Sequence, residues 1–528
     1  MTNTSTATCT STATRAQTIH SVLTARAERE PDAVAIWCED RRTSVRELDE
    51  RSNRVASALL ADGVAPGDRV AFMGNNSEFF HEMLYGCAKA GIVLVSVNYR
   101  LTAPEVRFIL KNSGSKTFVT DAAMLTLAQE ATQGTTATRI RVIGGAGEDD
   151  YAQWRDARGS DPINVDVSVD DPVIQVYTSG TTGFPKGAVI PHRTFTEMLR
   201  LAHQVPGRPL WWANGESILC PMPNFHVGGS LFPFWVTLQG ATIILMPKFT
   251  PDDVLDAIEA HSAAAFVAVP EMLQMILANP RTAGVDFSGL RYIYYGAAPM
   301  SQALLKQCME TFGCRFTQTY GMTEHSIICL LGPDDHGVDK AERMMSVGRR
   351  TPGMDTEVLG PDGNPVAAGE VGEICVRSSA MMLGYWGSDG AVDPCVDANG
   401  WFHTGDAGYF DRDGYLFLKD RIKDMLISGG ENVYPAEIEC VLAEHPAVIE
   451  AAVVGMKSQQ WGEVPKAYVV RRHAVDAATL QLFASEYLAR YKVPKEIEFI
   501  DQLPRTASGK VLRRELRERA NRGTGTAS

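Results

Sequence analysis

The chain has 528 residues, enough for one large domain with a smaller one, or for three domains of modest size. Its 50 Lys and Arg against 63 Asp and Glu give a formal charge of −13, which argues against a nucleic-acid binder, because such proteins depend on clustered positive charge. No apolar run approaches the roughly 18 residues that a membrane-spanning helix needs, so we expect no transmembrane segment.

The ends of the chain and its cysteines indicate a compartment. Residues 1–17 are rich in Thr, Ser and Ala without the apolar core of a signal peptide, which predicts a disordered tail, with a transit peptide as the alternative. Residues 521–528 are predicted to form a second disordered tail. The ten cysteines include no CxxC pair and no cluster with histidines, so we expect reduced, packed thiols and a cytoplasmic location.

Helical and extended patterns alternate through the first part of the chain. Residues 44–64 illustrate a helix, in which Ser44 and Glu47 have the spacing of a capping box ahead of an apolar face. The pattern further predicts strands at 69–73, 93–97 and 116–120 and a helix at 77–90. Strands that alternate with helices imply a mostly parallel sheet covered on both faces.

The same alternation returns later, and a second region follows it. Strands predicted at 242–246, 266–269 and 292–295 are each followed by a helical segment, which suggests two related sheet layers in one large domain. Asp413 and Gly414 then signal a hairpin turn. Beyond residue 420, helices are predicted at 435–444 and 477–488 and strands at 451–455 and 467–471. A segment of about 100 residues with its own pattern can form an independent small domain.

One glycine-rich segment has the composition of a phosphate cradle. After a strand-like run at 173–176, residues 177–187 read YTSGTTGFPKG and hold three glycines, four threonine or serine hydroxyls, and Lys186. Glycines let backbone N–H groups crowd around an anion, hydroxyls add donors, and lysine supplies positive charge. The spacing is not that of a P-loop. Composition alone would equally allow a flexible surface turn.

This segment resembles the signature loop of the adenylate-forming superfamily, which includes acyl-CoA synthetases, peptide-synthetase adenylation domains and luciferases. Further motifs follow in the family's order: GAAP at 296–299, QTYGMTE at 318–324, WFHTGD at 401–406, DRIKD at 420–424, SGGEN at 428–432 and PRTASGK at 504–510. The similarity covers residues 20–516, and ordered motifs are far more specific than one alone. The chain is similar to the AMP-forming fatty-acyl-CoA and aryl-CoA ligases of this superfamily.

The resemblance implies an α/β fold with a large domain and a small mobile one. A large N-terminal adenylation domain at 18–421 would contain αβ sheet layers and a small distorted barrel. A small mobile C-terminal α+β domain would occupy 422–520, with its hinge at Lys423. Two half-reactions at one site would use two arrangements of these domains.

The implied reaction uses ATP, Mg²⁺ and coenzyme A. A carboxylic acid would first form an acyl-adenylate, and the acyl group would then pass to coenzyme A. Because two anions must approach each other, the site needs cations and oriented donors. By resemblance, Thr323 would contact the α-phosphate, Glu324 would coordinate Mg²⁺, and Lys510 would reach the carboxylate and the α-phosphate. The β- and γ-phosphates would be held by Thr178, Ser179, Gly180, Thr181, Thr182, Gly183 and Lys186.

The resemblance also implies the contacts to the nucleoside. Asp406 would accept hydrogen bonds from both ribose hydroxyls, and Arg421 would add a second ribose contact. The adenine slot would be formed by Gly296, Ala297, Ala298, Gln318, Thr319, Tyr320 and Gly321. Outside the motifs, Asp406 would be a turn residue, Tyr320 a core tyrosine and Lys510 part of a solvated basic tail.

Two further groups of residues would bind the acid and admit coenzyme A. His226, in PMPNFHVGG at 221–229, would gate the carboxylate site, whereas a lone histidine is more often structural. The acyl pocket would be lined by Gly228, Gly229, Phe232, Met322 and Ile327, and the coenzyme A passage by Ser428, Gly429, Gly430 and Trp461. No aspartate between residues 221 and 238 could pair a substrate ammonium, which argues against an amino acid.

An apolar pocket without fixed charge favours a medium- or long-chain fatty acid. Aryl, alicyclic or steroid-side-chain carboxylates are the alternative substrates, and another acyl acceptor is the alternative to coenzyme A. A peptide-synthetase module would need a carrier domain, which does not follow in this sequence, and a luciferase-type oxygenase would have to emit light. A non-catalytic binding protein would be expected to lack Lys510, Glu324 or Asp406, all of which are present.

The expected partners are small molecules. A homodimer is compatible with the sequence, and no nucleic acid is expected. The spacing of Pro504 to Lys510 resembles sites at which acetylation switches related ligases off, so a lysine acetyltransferase and a deacetylase are candidate partners.

Overall fold

The computed structural model describes residues 17–178, 185–207, 210–337, 340–387, 389–428, 431–458, 461–505 and 510–522. Its helices are α1 (Ile19–Arg29), α2 (Val45–Ala61), α3 (Glu78–Lys89), α4 (Ala103–Ser113), α5 (Leu125–Thr132), α6 (Tyr151–Asp156), α7 (His192–Ala202), α8 (Val227–Leu238), α9 (Pro251–His261), α10 (Pro270–Ala278), α11 (Gln302–Phe312), α12 (Pro435–Ala443), α13 (Ala477–Tyr487) and α14 (Arg513–Asn521).

The strands are β1 (Val34–Cys38), β2 (Arg41–Ser44), β3 (Arg69–Met73), β4 (Val93–Ser96), β5 (Thr117–Asp121), β6 (Arg139–Ile143), β7 (Pro172–Thr178), β8 (Lys186–Pro191), β9 (Ser217–Cys220), β10 (Thr242–Leu245), β11 (Ala265–Ala268), β12 (Tyr292–Gly296), β13 (Arg315–Met322), β14 (Ser326–Leu331), β15 (Arg349–Arg350), β16 (Asp355–Leu359), β17 (Gly372–Arg377), β18 (Gly384–Trp386), β19 (Val392–Asp393), β20 (Phe402–Phe410), β21 (Leu416–Arg421), β22 (Leu426–Ser428), β23 (Glu431–Val433), β24 (Val448–Ser458), β25 (Gly462–Arg471) and β26 (Glu496–Phe499).

Two large mixed sheets form the framework, as the alternating pattern predicts. One has eight strands in the order β19-β18-β8-β7-β4-β3-β5-β6, and the other has nine in the order β15-β14-β13-β12-β11-β9-β10-β1-β2. In the eight-stranded sheet the strands from β7 to the β6 edge run parallel, and antiparallel strands form the opposite edge. In the nine-stranded sheet the strands from β13 to β1 run parallel, and antiparallel strands form both edges. In open sheets of this kind, ligands bind beyond the carboxyl ends of the parallel strands.

Helices α3 and α8 are buried on nearly every side and belong to the hydrophobic core that the two large sheets share. Almost every residue of α3 is buried, as are the residues of α8 from Gly229 to Thr237. The predicted capping box of α2 is confirmed, since Ser44 and Glu47 cap each other's backbone N–H groups. Gly86 of α3 allows α2 to pack closely, because a Cβ there would lie 2.5 Å from Val55 Cγ1.

Two smaller sheets follow in the chain. The antiparallel sheet β16-β17-β20-β21 occupies the place of the expected small barrel, and the predicted turn at Asp413 and Gly414 joins β20 to β21. The C-terminal sheet β23-β22-β25-β24, with β26 beside β25, packs with α12, α13 and α14. Its apolar residues form their own clusters, which is expected of a separate domain.

The chain ends and the cysteines were also predicted from the sequence. Residues 1–16 and 523–528 lie outside the described residues, whereas Asn521 ends α14 and donates from its amide to the carbonyl of Arg517. The nine cysteines described are free thiols, and six of them are buried as expected, whereas Cys314 and Cys395 are half-buried and Cys440 is exposed. Across the described ranges, the helices are too short or too polar for any of them to cross a membrane.

We expect buried histidines to make the fold sensitive to acid. Burial lowers the pKa of His81 to about 4 and that of His325, whose two ring nitrogens have no hydrogen-bond partner among the described residues, to about 3. Because the unfolded chain binds protons at these sites below pH 6.5, the free energy of unfolding should fall as the pH decreases from 6.5 toward 4. We expect the urea midpoint to follow this trend. The variant His325→Phe, which keeps a ring against Phe402, should show a shallower dependence; an equal slope would contradict the prediction.

Candidate active site

The glycine-rich loop connects β7 to β8. Thr178 and Lys186 are register partners at the loop end of this hairpin, at the carboxyl end of β7. The intervening loop residues predicted to bind phosphate, Ser179, Gly180, Thr181, Thr182 and Gly183, lie outside the described residues. Lys186 is exposed, and its Nζ lies 5.1 Å from the centroid of the Tyr385 ring.

Glu324 lies in the tight connection between β13 and β14. A Cβ at Gly321 would lie 1.6 Å from the carbonyl oxygen of Ser326, so this close turn requires glycine. The Glu324 carboxylate is buried, and its Oε1 accepts a 2.5 Å hydrogen bond from the Tyr385 hydroxyl. Thr323 is half-buried beside it. A buried carboxylate next to the loop that is predicted to bind phosphate would suit Mg²⁺, which combines one or two carboxylates with phosphate oxygens.

Asp406 is the centre of a polar network near the carboxyl end of β13. Its Oδ2 accepts a 2.7 Å hydrogen bond from the Tyr320 hydroxyl, and its Oδ1 lies 2.6 Å from Nε of Arg421. Burial and the Asp406 carboxylate raise the pKa of Tyr320, which therefore stays a neutral donor. The guanidinium of Arg421 also donates to the carbonyl of Thr404. Asp406 is thus held in place by two partners before any ligand binds.

The predicted adenine residues occupy the ends of β12 and β13. Gly296 and Thr319 are paired across these strands, and a Cβ at Gly296 would lie 2.3 Å from the Thr319 carbonyl oxygen. The following Ala297 has φ +64°, a left-handed conformation that is costly for a residue with a Cβ. Gln318 accepts a hydrogen bond from the Tyr295 hydroxyl, and Ala298 is half-buried.

Lys510 reaches this site from the small domain. Partial enclosure by protein and the neighbouring Arg421 lower its pKa, whereas the nearby carboxylates of Glu324 and Asp406 act in the opposite direction. The charge of Lys423, in the turn between β21 and β22, is also close enough to act on it. The structure therefore has the small domain placed with Lys510 at the carboxylates of the large domain.

His226 immediately precedes α8 and lies close enough to Lys510 for the lysine charge to act on its imidazole. Burial lowers its pKa to about 4, and the positive charges of Lys510 and Arg100 add to this effect. The imidazole is therefore neutral near pH 7. A Cβ at Gly229 would lie 2.0 Å from the carbonyl oxygen of Pro223, so the turn into α8 requires glycine there.

The predicted acyl-pocket residues differ in exposure. Gly228 has open space beside it, since a Cβ there would meet nothing closer than Met222 Cε at 4.0 Å. Met322 is half-buried and Ile327 buried. Phe232 is buried, and its ring packs against Trp212 and Tyr294, with ring centroids 5.2 and 5.8 Å away. Phe232 therefore belongs to the packed core of the large domain.

The predicted coenzyme A residues lie on the small domain. Ser428 ends β22 opposite Gly462, and the exposed Trp461 lines a groove of about 800 Å³ together with Met425 and Ile427. Gly429 and Gly430 lie outside the described residues.

Sequence reasoning missed three residues that shape the site. Tyr385 holds Glu324, Thr404 holds the backbone of Asp406, and Arg100 acts on His226. Tyr385, between Gly384 and Trp386, and Thr404, within WFHTGD, lie in segments that could have been examined for such roles. Arg100 follows β4 in a loop with no motif to mark it.

Comparison with known proteins gives consistent matches over most of the chain. Residues 23–386 match the family model described as AMP-binding enzyme, and residues 437–510 match that of the AMP-binding enzyme C-terminal domain. A fatty acid–[acyl-carrier-protein] ligase, ScoC of Streptomyces coeruleorubidus, is 41% identical over 514 residues, covering 95% of this chain and 96% of the relative. A feruloyl-CoA synthase of Amycolatopsis sp is 39% identical, covering 94% and 97%.

A solved structure extends the match to three dimensions. The o-succinylbenzoate CoA synthetase MenE of Bacillus subtilis, in complex with its acyl-adenylate intermediate, superposes with a TM-score of 0.83 at 32% identity. The match covers 95% of this chain and 98% of that one.

Proposed function

Because the chain belongs to the AMP-binding enzyme family and is an acyl-CoA ligase that uses ATP, Mg²⁺ and coenzyme A, we propose that its acid is an apolar monocarboxylate, in the first place a medium- or long-chain fatty acid. The observation that carries the proposed site is that Lys510 lies close enough to His226, Glu324 and Asp406 for electrostatic interaction, although the four residues come from distant parts of the sequence. We infer that the acid and the nucleotide meet there.

In the first step, a carboxylate oxygen attacks the α-phosphorus of ATP, the bond to the β-phosphate breaks, and diphosphate leaves. Lys510 stabilises the charge that develops between the carboxylate and the α-phosphate, while Thr323 donates to the same phosphate. Asp406 and Arg421 hold the ribose. Glu324 would hold Mg²⁺, whose charge offsets that of the phosphates. Neutral His226 would close the carboxylate pocket without adding a charge.

In the second step, the thiolate of coenzyme A attacks the acyl carbonyl and AMP leaves. We propose that the small domain rotates about Lys423, which withdraws Lys510 and brings Ser428 and Trp461 to the passage. Immediately before the hinge, the Ile422 N–H donates a hydrogen bond to the Gly405 carbonyl.

The proposed acid follows from the chemistry of α8. The segment from Val227 to Leu238 has no charged side chain, so a second charge on the acid would have no partner there. The open space beside Gly228 leaves room next to His226. An alkyl chain suits these surroundings, and the match with a fatty acid ligase supports it. The similar match with a feruloyl-CoA synthase keeps an aryl carboxylate as the second candidate.

A panel of acids tests the proposed substrate. The purified protein should be given ATP, Mg²⁺, coenzyme A and fatty acids of increasing length, with benzoate, cinnamate and alicyclic acids beside them. We expect AMP and acyl-CoA in equal amounts, with the largest kcat/KM for a medium- or long-chain fatty acid. A larger kcat/KM for a cinnamate or an alicyclic acid would contradict the proposed fatty acid and identify that class as the substrate.

The acceptor has one specific alternative. ScoC, matched over 96% of its length, is named for an acyl carrier protein as acceptor, so the same assay should compare coenzyme A with a phosphopantetheinylated carrier protein. Equal formation of the acyl-adenylate but transfer only to the carrier protein would identify that acceptor for this chain.

We also propose that acetylation of Lys510 by a lysine acetyltransferase would stop the first step. The modification removes the positive charge that acts on the reacting groups.

A further inference from the structure

The strand that carries Asp406 is interrupted by a bulge. In the pairing of β17 with β20, Glu373 opposes Ala407 and Cys375 opposes His403, with a register shift between them. The three residues from Thr404 to Asp406 therefore face a single residue of β17. Bulges of this kind re-aim a side chain and leave backbone groups without ladder partners.

The Glu373 carboxylate satisfies one of these backbone groups. Its Oε1 accepts a 3.1 Å hydrogen bond from the N–H of Gly405, which has φ +71°, and its Oε2 lies 2.8 Å from Nδ1 of His403. The other ring nitrogen of His403 lies 3.5 Å from the Asp397 carboxylate. The hydrogen bond with Glu373 is the main reason that the pKa of His403 is raised. The Glu373 carboxylate therefore contacts both the His403 ring and the bulge at Gly405.

The bulge connects to both the nucleotide site and the hinge. The N–H of Asp406 donates to Oγ1 of Thr404, which in turn donates to the Ile374 carbonyl at 2.7 Å. The carbonyl of Gly405 accepts from the Ile422 N–H at 2.9 Å. A change in the bulge would therefore move Asp406 away from its two partners and alter the backbone next to the hinge.

We propose that Glu373, held by His403, is a positioning residue that sets the place of Asp406 for ribose recognition. This inference rests on the proposed ribose contact of Asp406. Glu373 itself need not touch the substrate, since it acts through the N–H of Gly405. Without the carboxylate, that N–H loses its partner and the bulge can relax toward a regular ladder.

Discrimination between ATP and 2′-deoxy-ATP tests the proposal, because a general loss of folded enzyme lowers both rates and leaves their ratio unchanged. A site built to bind a hydroxyl rejects the analogue that lacks it. The measured quantity is kcat/KM for ATP divided by kcat/KM for 2′-deoxy-ATP, in ATP–diphosphate exchange. We expect Glu373→Ala to lower this ratio by at least about fivefold, mainly by raising the KM for ATP. Glu373→Gln keeps an oxygen for the Gly405 N–H and should retain most of the ratio.

Two further variants distinguish a wrong positioning role of Glu373 from a wrong ribose contact of Asp406. Glu357→Gln removes a carboxylate from the neighbouring strand β16, at the residue paired with Cys375, and should leave the ratio unchanged. Asp406→Asn should lower the ratio; if it does not, the ribose contact itself is wrong. If Asp406→Asn lowers the ratio and Glu373→Ala leaves it within about twofold of the wild-type value, the positioning role is wrong. Should Glu373→Ala fail to fold, His403→Gln gives the same test with a smaller expected change.

Discussion

Replacing Lys510 with alanine is expected to slow acyl-adenylate formation by at least about a hundredfold, the usual effect of removing a group that stabilises transition-state charge. Lys510 lies close enough to Glu324 and Asp406 for their charges to act on it. Alanine removes the ammonium without adding bulk. Single-turnover measurement of acyl-adenylate from ATP and the preferred acid gives the rate of this step directly.

The second half-reaction provides the control for Lys510. With synthetic acyl-adenylate supplied, Lys510→Ala should form acyl-CoA at close to the wild-type rate, because the proposed rotation withdraws this lysine. Arg514→Ala removes the same charge from an exposed neighbour in α14 and should leave both steps unchanged. Adenylation by Lys510→Ala within about tenfold of the wild-type rate would contradict the assigned role.

Glu324→Gln is expected to reduce adenylation by about a hundredfold and to raise the Mg²⁺ concentration needed for half-maximal rate. Glutamine keeps the size of the side chain and a carbonyl oxygen for the Tyr385 hydroxyl, but it loses the negative charge that attracts the cation. The measurement is the rate of ATP–diphosphate exchange as Mg²⁺ is varied at fixed ATP.

Tyr385→Phe separates the charge of Glu324 from its orientation. Loss of the 2.5 Å hydrogen bond should cost roughly tenfold in rate, as for a hydrogen bond to a charged group, with little change in the Mg²⁺ requirement. An unchanged Mg²⁺ requirement in Glu324→Gln would remove Glu324 from the metal site, whatever its effect on rate.

The sequence by itself predicted the α/β class, the order of most elements and the family. Local rules suffice for these features. The capping box at Ser44 depends on residues three apart, and strand β3 is found at the predicted residues 69–73, where a short apolar run is bounded by turns. The motifs placed Lys510 and Asp406 in one site because they resemble those of a known family.

Other features needed the tertiary structure, because they depend on contacts between residues far apart in the chain. Tyr385 meets Glu324 across 61 residues, and neither segment alone indicates the pair. Phe232 has the apolar character of a pocket residue, yet its burial against Trp212 was decided by how α8 packs. The bulge that aims Asp406 arises from the register of two strands about thirty residues apart, which no local pattern encodes. Sequence patterns specify elements and their chemistry, whereas packing decides which side chains meet.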